Sequence, residues 1–253
     1  MDEIFAKRKM KLKQIKHFYM LKQFPLLFII YLAACTSFPQ HFYLYQSYSL
    51  AFNHPENTKL GRDFINVAKQ HAGFSGFCVL NNGLDGFIAR DQLIARAQAS
   101  LDLQYFIFRQ DKTGMALTEQ LIRAADRGVK IRILVDDGST VDGDEQLLSL
   151  AAHPNIQVRT FNPFYFRGHN DFVRLLEIKA NKSQLDYRMH NKLFIADNAV
   201  ALIGGRNIGD EYFQVDPDSQ LGDDDVFTVG PIVKKLSQSF DEFWNSVLQY
   251  LRK

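Results

Sequence analysis

The apolar residues between positions 83 and 161 change repeatedly from helical to strand periodicity. Phe87, Ile94, Ala97 and Leu101 follow helical spacing, and the apolar residues of 101–107 then alternate with polar ones as in a strand. The same change recurs further along the chain. It predicts helices over 117–124 and 144–152, strands over 129–135 and 156–161, and a helix end at Gly128.

The second half of the chain adds a predicted hairpin, one more strand and a closing helix. Residues 189–195 and 199–203 predict two strands joined by a turn at Asp197 and Asn198. Residues 226–229 predict another strand, and Pro231 opens a helix whose apolar residues are spaced for burial. Alternating helices and strands predict an α/β fold, and the hairpin makes its β-sheet mixed.

The predicted hairpin carries a possible catalytic pair. If residues 189–195 form a strand, His190 and Lys192 lie on the same face, so an imidazole and an ammonium group stand side by side. This pair suits phosphodiester chemistry, in which a histidine nitrogen attacks phosphorus while a fixed cation neutralises the non-bridging oxygens. The second strand ends in Gly204 and Gly205, which offer little side chain to obstruct a substrate.

The spacing of six residues in this region resembles the signature of the phospholipase D superfamily. That signature is His-x-Lys, four residues, Asp, six residues and Gly-Gly-x-Asn, and it is matched at His190, Lys192, Asp197, Gly204, Gly205 and Asn207. The similarity extends over most of residues 75–246. Residues 100–106 and 124–129 resemble the cardiolipin-synthase branch, in which these segments form scaffold rather than catalytic groups.

The resemblance implies a fold and a role for each residue. The expected fold is a phospholipase D-like α-β-α sandwich, present here as one half. His190 is expected to form a phosphohistidine, Lys192 and Asn207 to hold the phosphate oxygens, and Asp197 to position the site. Gly204 and Gly205 are expected to border the substrate. No metal or other cofactor is expected.

An acidic run precedes the strand at 226–229. Related proteins have an acidic residue near this place that bonds the nucleophilic histidine, so Asp223 is the first candidate for orienting His190 and Asp225 the second. The alternative is that the run is a solvated acidic turn.

The chain contains a single copy of the motif, although members of the cardiolipin-synthase branch carry two. Of its seven histidines, only His190 is followed two residues later by lysine. Because the leaving alkoxide needs a separate acid, activity is expected to require a homodimer or a missing second half. The leading functional hypothesis is a phospholipid phosphatidyltransferase or phospholipase. The alternatives are a homodimeric single-motif nuclease and an inactive amino-terminal half.

Charge separates the amino terminus from the rest of the chain. The first 22 residues hold seven basic and two acidic residues, a formal charge of +5, so the remaining residues carry −3 of the net +2. A body of this charge disfavours a general nucleic-acid binder, and phospholipid and a membrane are the expected partners.

The amino terminus resembles a bacterial lipoprotein signal. Residues 24–34 are apolar over about eleven positions, too short for the ~20 residues that span a bilayer. Leu-Ala-Ala-Cys resembles a lipoprotein cleavage box, which would make Cys35 the lipidated first residue of an envelope protein. Translation can begin at Met1, Met10 or Met20. Alternatively, residues 26–32 form a buried helix.

These observations divide the chain into three parts. Residues 1–35 are the basic leader and signal peptide, 36–74 a lead-in or tether, and 75–253 the catalytic domain. Within that domain, a free thiol at Cys78 is unremarkable in an exported protein if it is buried in the apolar run 77–80. The aromatic and cationic residues between Phe161 and Arg188 fit either a lipid interface or an ordinary packed loop.

Overall fold

A computed structural model describes residues 47–139, 144–164, 171–180, 182–216, 218, 221–246 and 249–251. The predictions for the leader, including lipidation at Cys35, lie outside these residues, as do Tyr165, Phe166 and Arg167 of the aromatic stretch. No helix in the described part of the chain is long and apolar enough to cross a membrane.

The described residues contain strands that alternate with helices up to residue 161, followed by two short helices, three consecutive strands, a long helix and a last strand. The strands are β1 (Gly76–Leu80), β2 (Ser100–Tyr105), β3 (Lys130–Asp136), β4 (Ile156–Phe161), β5 (Leu193–Ala196), β6 (Val200–Gly204), β7 (Asp225–Val229) and β8 (Gln249–Leu251). The helices are α1 (Lys59–Gln70), α2 (Gly83–Arg96), α3 (Lys112–Asp126), α4 (Asp144–Ala151), α5 (Asp171–Ala180), α6 (Lys182–Leu185) and α7 (Pro231–Trp244).

The strands form one mixed sheet in the order β1-β7-β6-β5-β2-β3-β4-β8. β2, β3 and β4 are parallel to one another, and every other neighbouring pair is antiparallel. The hairpin β5–β6 therefore joins the parallel part of the sheet to the antiparallel part. Its turn has left-handed backbone angles at Asp197 (φ 53°) and Asn198 (φ 48°), as a two-residue hairpin turn requires.

Helices cover both faces of the sheet. On one face, the inward side chains of β2 and β3 pack against buried residues of α2, α3 and α4. On the other face, Met189, Leu193 and Ile195 belong to the same apolar cluster as Phe240 and Trp244 of α7. The same strands supply apolar side chains to both clusters, since successive side chains of a strand point to opposite faces of the sheet. The predicted mixed sheet between helical layers is confirmed.

The segment before α1 is part of the folded domain. Ser49 Oγ accepts a hydrogen bond from Trp244 Nε1 at 2.8 Å, and the Ala51 amide donates to Asp241 Oδ2 at 2.9 Å. Asn198 Nδ2 donates to the Phe52 carbonyl at 2.8 Å. The predicted boundary at residue 75 therefore does not coincide with a structural boundary: within the predicted lead-in, residues 47–74 pack on the domain and include α1.

Most of the predicted elements are present, with differences at their ends. The helices at 117–124 and 144–152 correspond to α3 and α4, and the strands at 129–135 and 156–161 to β3 and β4. Gly128 has a left-handed φ of 95° after α3, as expected of a helix end. The patterns gave no prediction for β1, α1, α5, α6 or β8.

One local prediction is wrong, and the condition stated for Cys78 is not met. The strand expected from Met189 begins only at Leu193, because the Met189 amide bonds to the carboxylate of Asp136, at 2.8 Å, instead of to a neighbouring strand. Cys78 is exposed rather than buried, since β1 lies at the edge of the sheet.

Candidate active site

His190 and Lys192 lie together on the loop that leads into β5. The imidazole of His190 is exposed, and its ring centroid lies 4.9 Å from that of Phe106, with the planes tilted by 53°. Lys192 Nζ lies 5.4 Å from the centroid of the same phenyl ring and donates to the His190 carbonyl at 2.8 Å. The phenyl ring of Phe106 therefore contacts both functional groups of the predicted pair, the imidazole and the ammonium group.

The ammonium group of Lys192 is held in a largely dehydrated position. The residue is only 7% exposed. Burial lowers the pKa of Lys192, and the negative charge of Asp223 partly opposes this effect. A weakly hydrated cation attracts an anionic phosphate more strongly than a fully solvated one. The site thus offers a fixed positive charge beside an accessible imidazole.

Asn207 borders this pair from the loop after β6. Its Oδ1 accepts a hydrogen bond from the Ile107 amide at 3.0 Å, next to Phe106. The two segments are joined further by the Ile208 amide, which donates to the Ile107 carbonyl at 3.1 Å. Because Oδ1 is occupied, the Nδ2 group of Asn207 is the one available to a ligand, and it has no partner within the described residues.

The two glycines meet a packing requirement of the fold. A Cβ on Gly205 would lie 1.9 Å from Asp223 Oδ1, and a Cβ on Gly204 would lie 2.3 Å from the Asp224 carbonyl oxygen. The absence of side chains therefore lets the acidic segment approach the backbone closely. The expectation that Gly204 and Gly205 border the substrate stays a prediction beside this packing requirement.

This close approach separates the two candidates for orienting His190. Asp225 is completely buried and accepts from Arg90 Nη1 at 2.7 Å and Nη2 at 3.1 Å, while Arg206 Nη1 lies 3.5 Å away. Asp225 as the orienting residue is therefore wrong, because both of its oxygens are committed to this buried ion pair. Asp223 remains the candidate for orienting His190. It lies against Gly205, and its negative charge raises the pKa of Lys192.

Asp197 lies at the far end of β5 from Lys192. Its buried carboxylate accepts hydrogen bonds from the amides of three consecutive residues, Gln98 at 3.0 Å, Ala99 at 2.8 Å and Ser100 at 3.0 Å. A role in positioning fits this geometry. The carboxylate is bound to the residues at the beginning of β2 rather than to His190 or Lys192.

Sequence reasoning missed two residues that the structure brings to the site. Phe106 follows β2 and Asp136 ends β3, so both stand at the carboxyl ends of neighbouring parallel strands. Functional side chains commonly collect at this edge of an α/β sheet. The predicted strands 101–107 and 129–135 therefore carry a signal for both residues, whereas the family resemblance implies only a scaffold role for residues 100–106.

Comparison with known proteins identifies the family. The family model described as cardiolipin synthase, PLD-like domain, matches residues 91–244, which is more than half of the chain. The chain belongs to this family. The matched region of the PLD-like domain contains every position of the His-x-Lys motif and the adjoining glycines.

A curated relative and two solved structures are similar to this PLD-like chain. Cardiolipin synthase C of Escherichia coli (strain K12) is 41% identical over 186 residues, which cover 74% of this chain and 38% of that protein. The chain therefore spans well under half the length of this relative.

The solved structures support the fold. A phospholipase D family member, Nuc from Salmonella typhimurium, has a TM-score of 0.51 at 15% identity, covering 70% of this chain and 98% of that one. Phosphatidylserine synthase from Haemophilus influenzae Rd KW20 has a TM-score of 0.52 at 12% identity, covering 73% and 42%. At these identities the likeness concerns the fold alone.

Replacing Asp197 is expected to reduce stability. Asp197→Ala leaves three amides without their acceptor, of which that of Ser100 is buried and the other two are partly buried, and this should lower the free energy of unfolding by about 3 kcal/mol. Urea unfolding of Asp197→Ala and of Asp224→Ala, an exposed carboxylate, measures the difference. Equal midpoints for the two variants would contradict the positioning role of Asp197.

Proposed function

We propose that this PLD-like domain catalyses phosphatidyl transfer or phosphodiester hydrolysis on phospholipid through a phosphohistidine. A ring nitrogen of His190 attacks the phosphorus, forming a P–N bond as the P–O bond to the leaving alcohol breaks. An acid protonates the departing alkoxide. An alcohol or water then attacks the phosphorus, the P–N bond breaks, and the proton of the attacking hydroxyl returns to the conjugate base of that acid.

The observation that carries this proposal is the pairing of an exposed imidazole with a buried ammonium group across one aromatic ring. His190 is accessible to a substrate, whereas Lys192 is fixed beneath it against Phe106. In the proposed complex, Lys192 and Asn207 Nδ2 bind the non-bridging oxygens of the phosphate. Their positive charge and N–H donors stabilise the additional negative charge of the transition state.

Two observations favour phospholipid as the substrate class. The relative named cardiolipin synthase C is similar over 74% of the chain. In addition, α5 exposes Phe172 (67%), Leu175 and Leu176, and Lys179 and Lys182 are exposed beside them. Apolar side chains among cations fit the boundary between acyl chains and phosphate headgroups. Lipid anchoring at Cys35 and a place in the bacterial cell envelope stay predictions.

The acid that protonates the alkoxide is proposed to come from a second copy of the motif. One chain supplies one His190, and the reaction uses a nucleophile and a separate acid. A two-fold homodimer would provide the second histidine from the same surface of its partner. The additional chain length of the relatives is the alternative source.

The substrate assignment is tested by incubating the protein, in chelator, with phosphatidylglycerol vesicles and separately with DNA. We expect products from phosphatidylglycerol, acid-labile phosphorus on His190 and little cleavage of DNA. His190→Asn should abolish turnover without changing the unfolding midpoint, because the side chain is exposed.

The other outcomes of this test decide among the alternatives. Cleavage of DNA alone would favour the homodimeric nuclease, and no activity on either substrate would favour an inactive half. Turnover that persists in His190→Asn would contradict the phosphohistidine mechanism itself.

The pH profile should report the charge of Lys192. Because burial lowers its pKa from the ordinary value of 10.5, alkaline loss of kcat/KM should begin below that pH. Asp223 raises the pKa of Lys192, so Asp223→Asn should move this alkaline limb to still lower pH. Asp224→Asn, with the same loss of charge at the exposed neighbouring residue, should leave the limb in place. A limb that stays fixed or moves upward in Asp223→Asn would contradict the assignment.

Dependence on association is the final functional prediction. If two chains share the site, specific activity should rise with protein concentration. Mixing inactive His190→Asn chains with wild type should lower activity more than adding an equal volume of buffer does. A monomer whose specific activity is constant on dilution would rule out the homodimer.

A further inference from the structure

The loop that carries His190 is attached to the end of β3 by one carboxylate. Asp136 is the last residue of β3 and is completely buried. Its Oδ2 accepts a hydrogen bond from the Met189 amide at 2.8 Å, directly before His190 in the chain. Its Oδ1 accepts from the Gly138 amide at 2.7 Å and from Arg188 Nη1 at 3.1 Å.

Arg188 extends this attachment to two other segments. Its Nε donates to the Leu185 carbonyl at 2.7 Å, at the end of α6, and Nη1 also donates to the Asn162 carbonyl at 3.2 Å. The guanidinium lies 5.0 Å from the centroid of the Phe164 ring. Asn162 Nδ2 also donates to the Tyr187 carbonyl at 2.7 Å. Together with the bond from the Met189 amide to Asp136, this holds the main chain on both sides of Arg188.

The loop needs such an attachment because it lies outside the sheet. Residues 187–192 have no strand structure, and the ladder of β5 begins at Leu193. The backbone position of His190 is therefore set by the contacts of its neighbours and by the bond from Lys192 to its carbonyl. Among these contacts, the hydrogen bond from the Met189 amide to Asp136 holds the main chain directly before His190.

We propose that Asp136 is a positioning residue that places His190 against Phe106 through the Met189 amide and Arg188. The inference rests on the proposed role of His190 as the nucleophile. A carboxylate suits this position because both oxygens accept hydrogen bonds and its charge complements the guanidinium. Asparagine has one acceptor oxygen, so its amide group would face either the Met189 amide or Arg188, and one contact would be lost.

Asp102 provides a matched control. It is also buried on a parallel strand and paired with an arginine, since Arg132 Nε and Nη2 donate to it at 2.6 and 2.9 Å. Arg132 also pairs with Asp241 of α7, on the face of the sheet that carries α7. Asp102→Asn therefore removes an equivalent buried charge without touching the loop of His190.

The test compares Asp136→Asn and Asp102→Asn in the full chain, well below the unfolding temperature of both. The first readout is the rate at which diethyl pyrocarbonate modifies His190, measured by mass spectrometry of its peptide. The second is kcat and KM on phosphatidylglycerol. Both variants should be less stable than wild type. Only Asp136→Asn should raise the modification rate several-fold, because the imidazole leaves Phe106, and lower kcat by about 10- to 100-fold with KM little changed.

The readouts separate failure of the inference from failure of the proposed function. Equal His190 reactivity in Asp136→Asn and Asp102→Asn would overturn the positioning role, whatever the activity. A wild-type protein without turnover would contradict the proposed function, and the difference in modification rate would still test the inference. If Asp136→Asn does not fold, Arg188→Lys, which keeps the charge and loses the Nε and Nη1 geometry, should show the same direction of change.

Discussion

The buried carboxylate of Asp197 fixes the relation between the two parts of the sheet. The carboxylate accepts hydrogen bonds from the amides of residues 98–100, and the backbone amide of Asp197 donates to the Ser100 carbonyl at 2.8 Å. The hairpin β5–β6 is thereby held in register with β2, with Leu193 opposite Gln104. A shift of one residue would exchange the two faces of β5 and place its apolar side chains in the wrong layers. The position of Phe106 beside the loop of His190 follows from this register.

A second carboxylate, Asp225, fixes the geometry on the opposite side of the site. Together with Arg90 it forms a buried pair behind the glycines, and Arg90 Nε also donates to the hydroxyl of Tyr105 at 3.0 Å. Buried pairs of this kind contribute little net stability, but removing one partner leaves an uncompensated charge. Their geometry is specific, however, and here it links β7 to α2 and β2. The acidic residues of the motif region therefore divide between the framework and the surroundings of Lys192.

The sheet, most of its helices and the juxtaposition of His190 with Lys192 are predictable from the sequence because each has a local signature. The periodicity of residues 101–161 and the spacing from His190 to Asn207 need no knowledge of distant contacts. What the sequence did not predict depends on partners far apart in the chain. The beginning of β5 is decided by Asp136, 53 residues before Met189, and the role of Asp225 by Arg90, 135 residues away. Acidic character and strand pattern alone do not distinguish Asp223 from Asp225.

The irregular loop also explains how the site can be both fixed and accessible. In a continuous strand, His190 would have been held by the ladder, with its ring confined to one face of a sheet that is covered on both sides by helices. Because residues 187–192 instead lie outside the sheet, the imidazole of His190 faces solvent while Lys192 stays buried beside it. The exposed side of the imidazole is then accessible from solvent, which the proposed mechanism needs for both a substrate phosphate and a separate acid. A side chain carried on a loop needs its own supports, and Phe106 and the segments around Asp136 supply them to His190 from the carboxyl ends of adjacent strands.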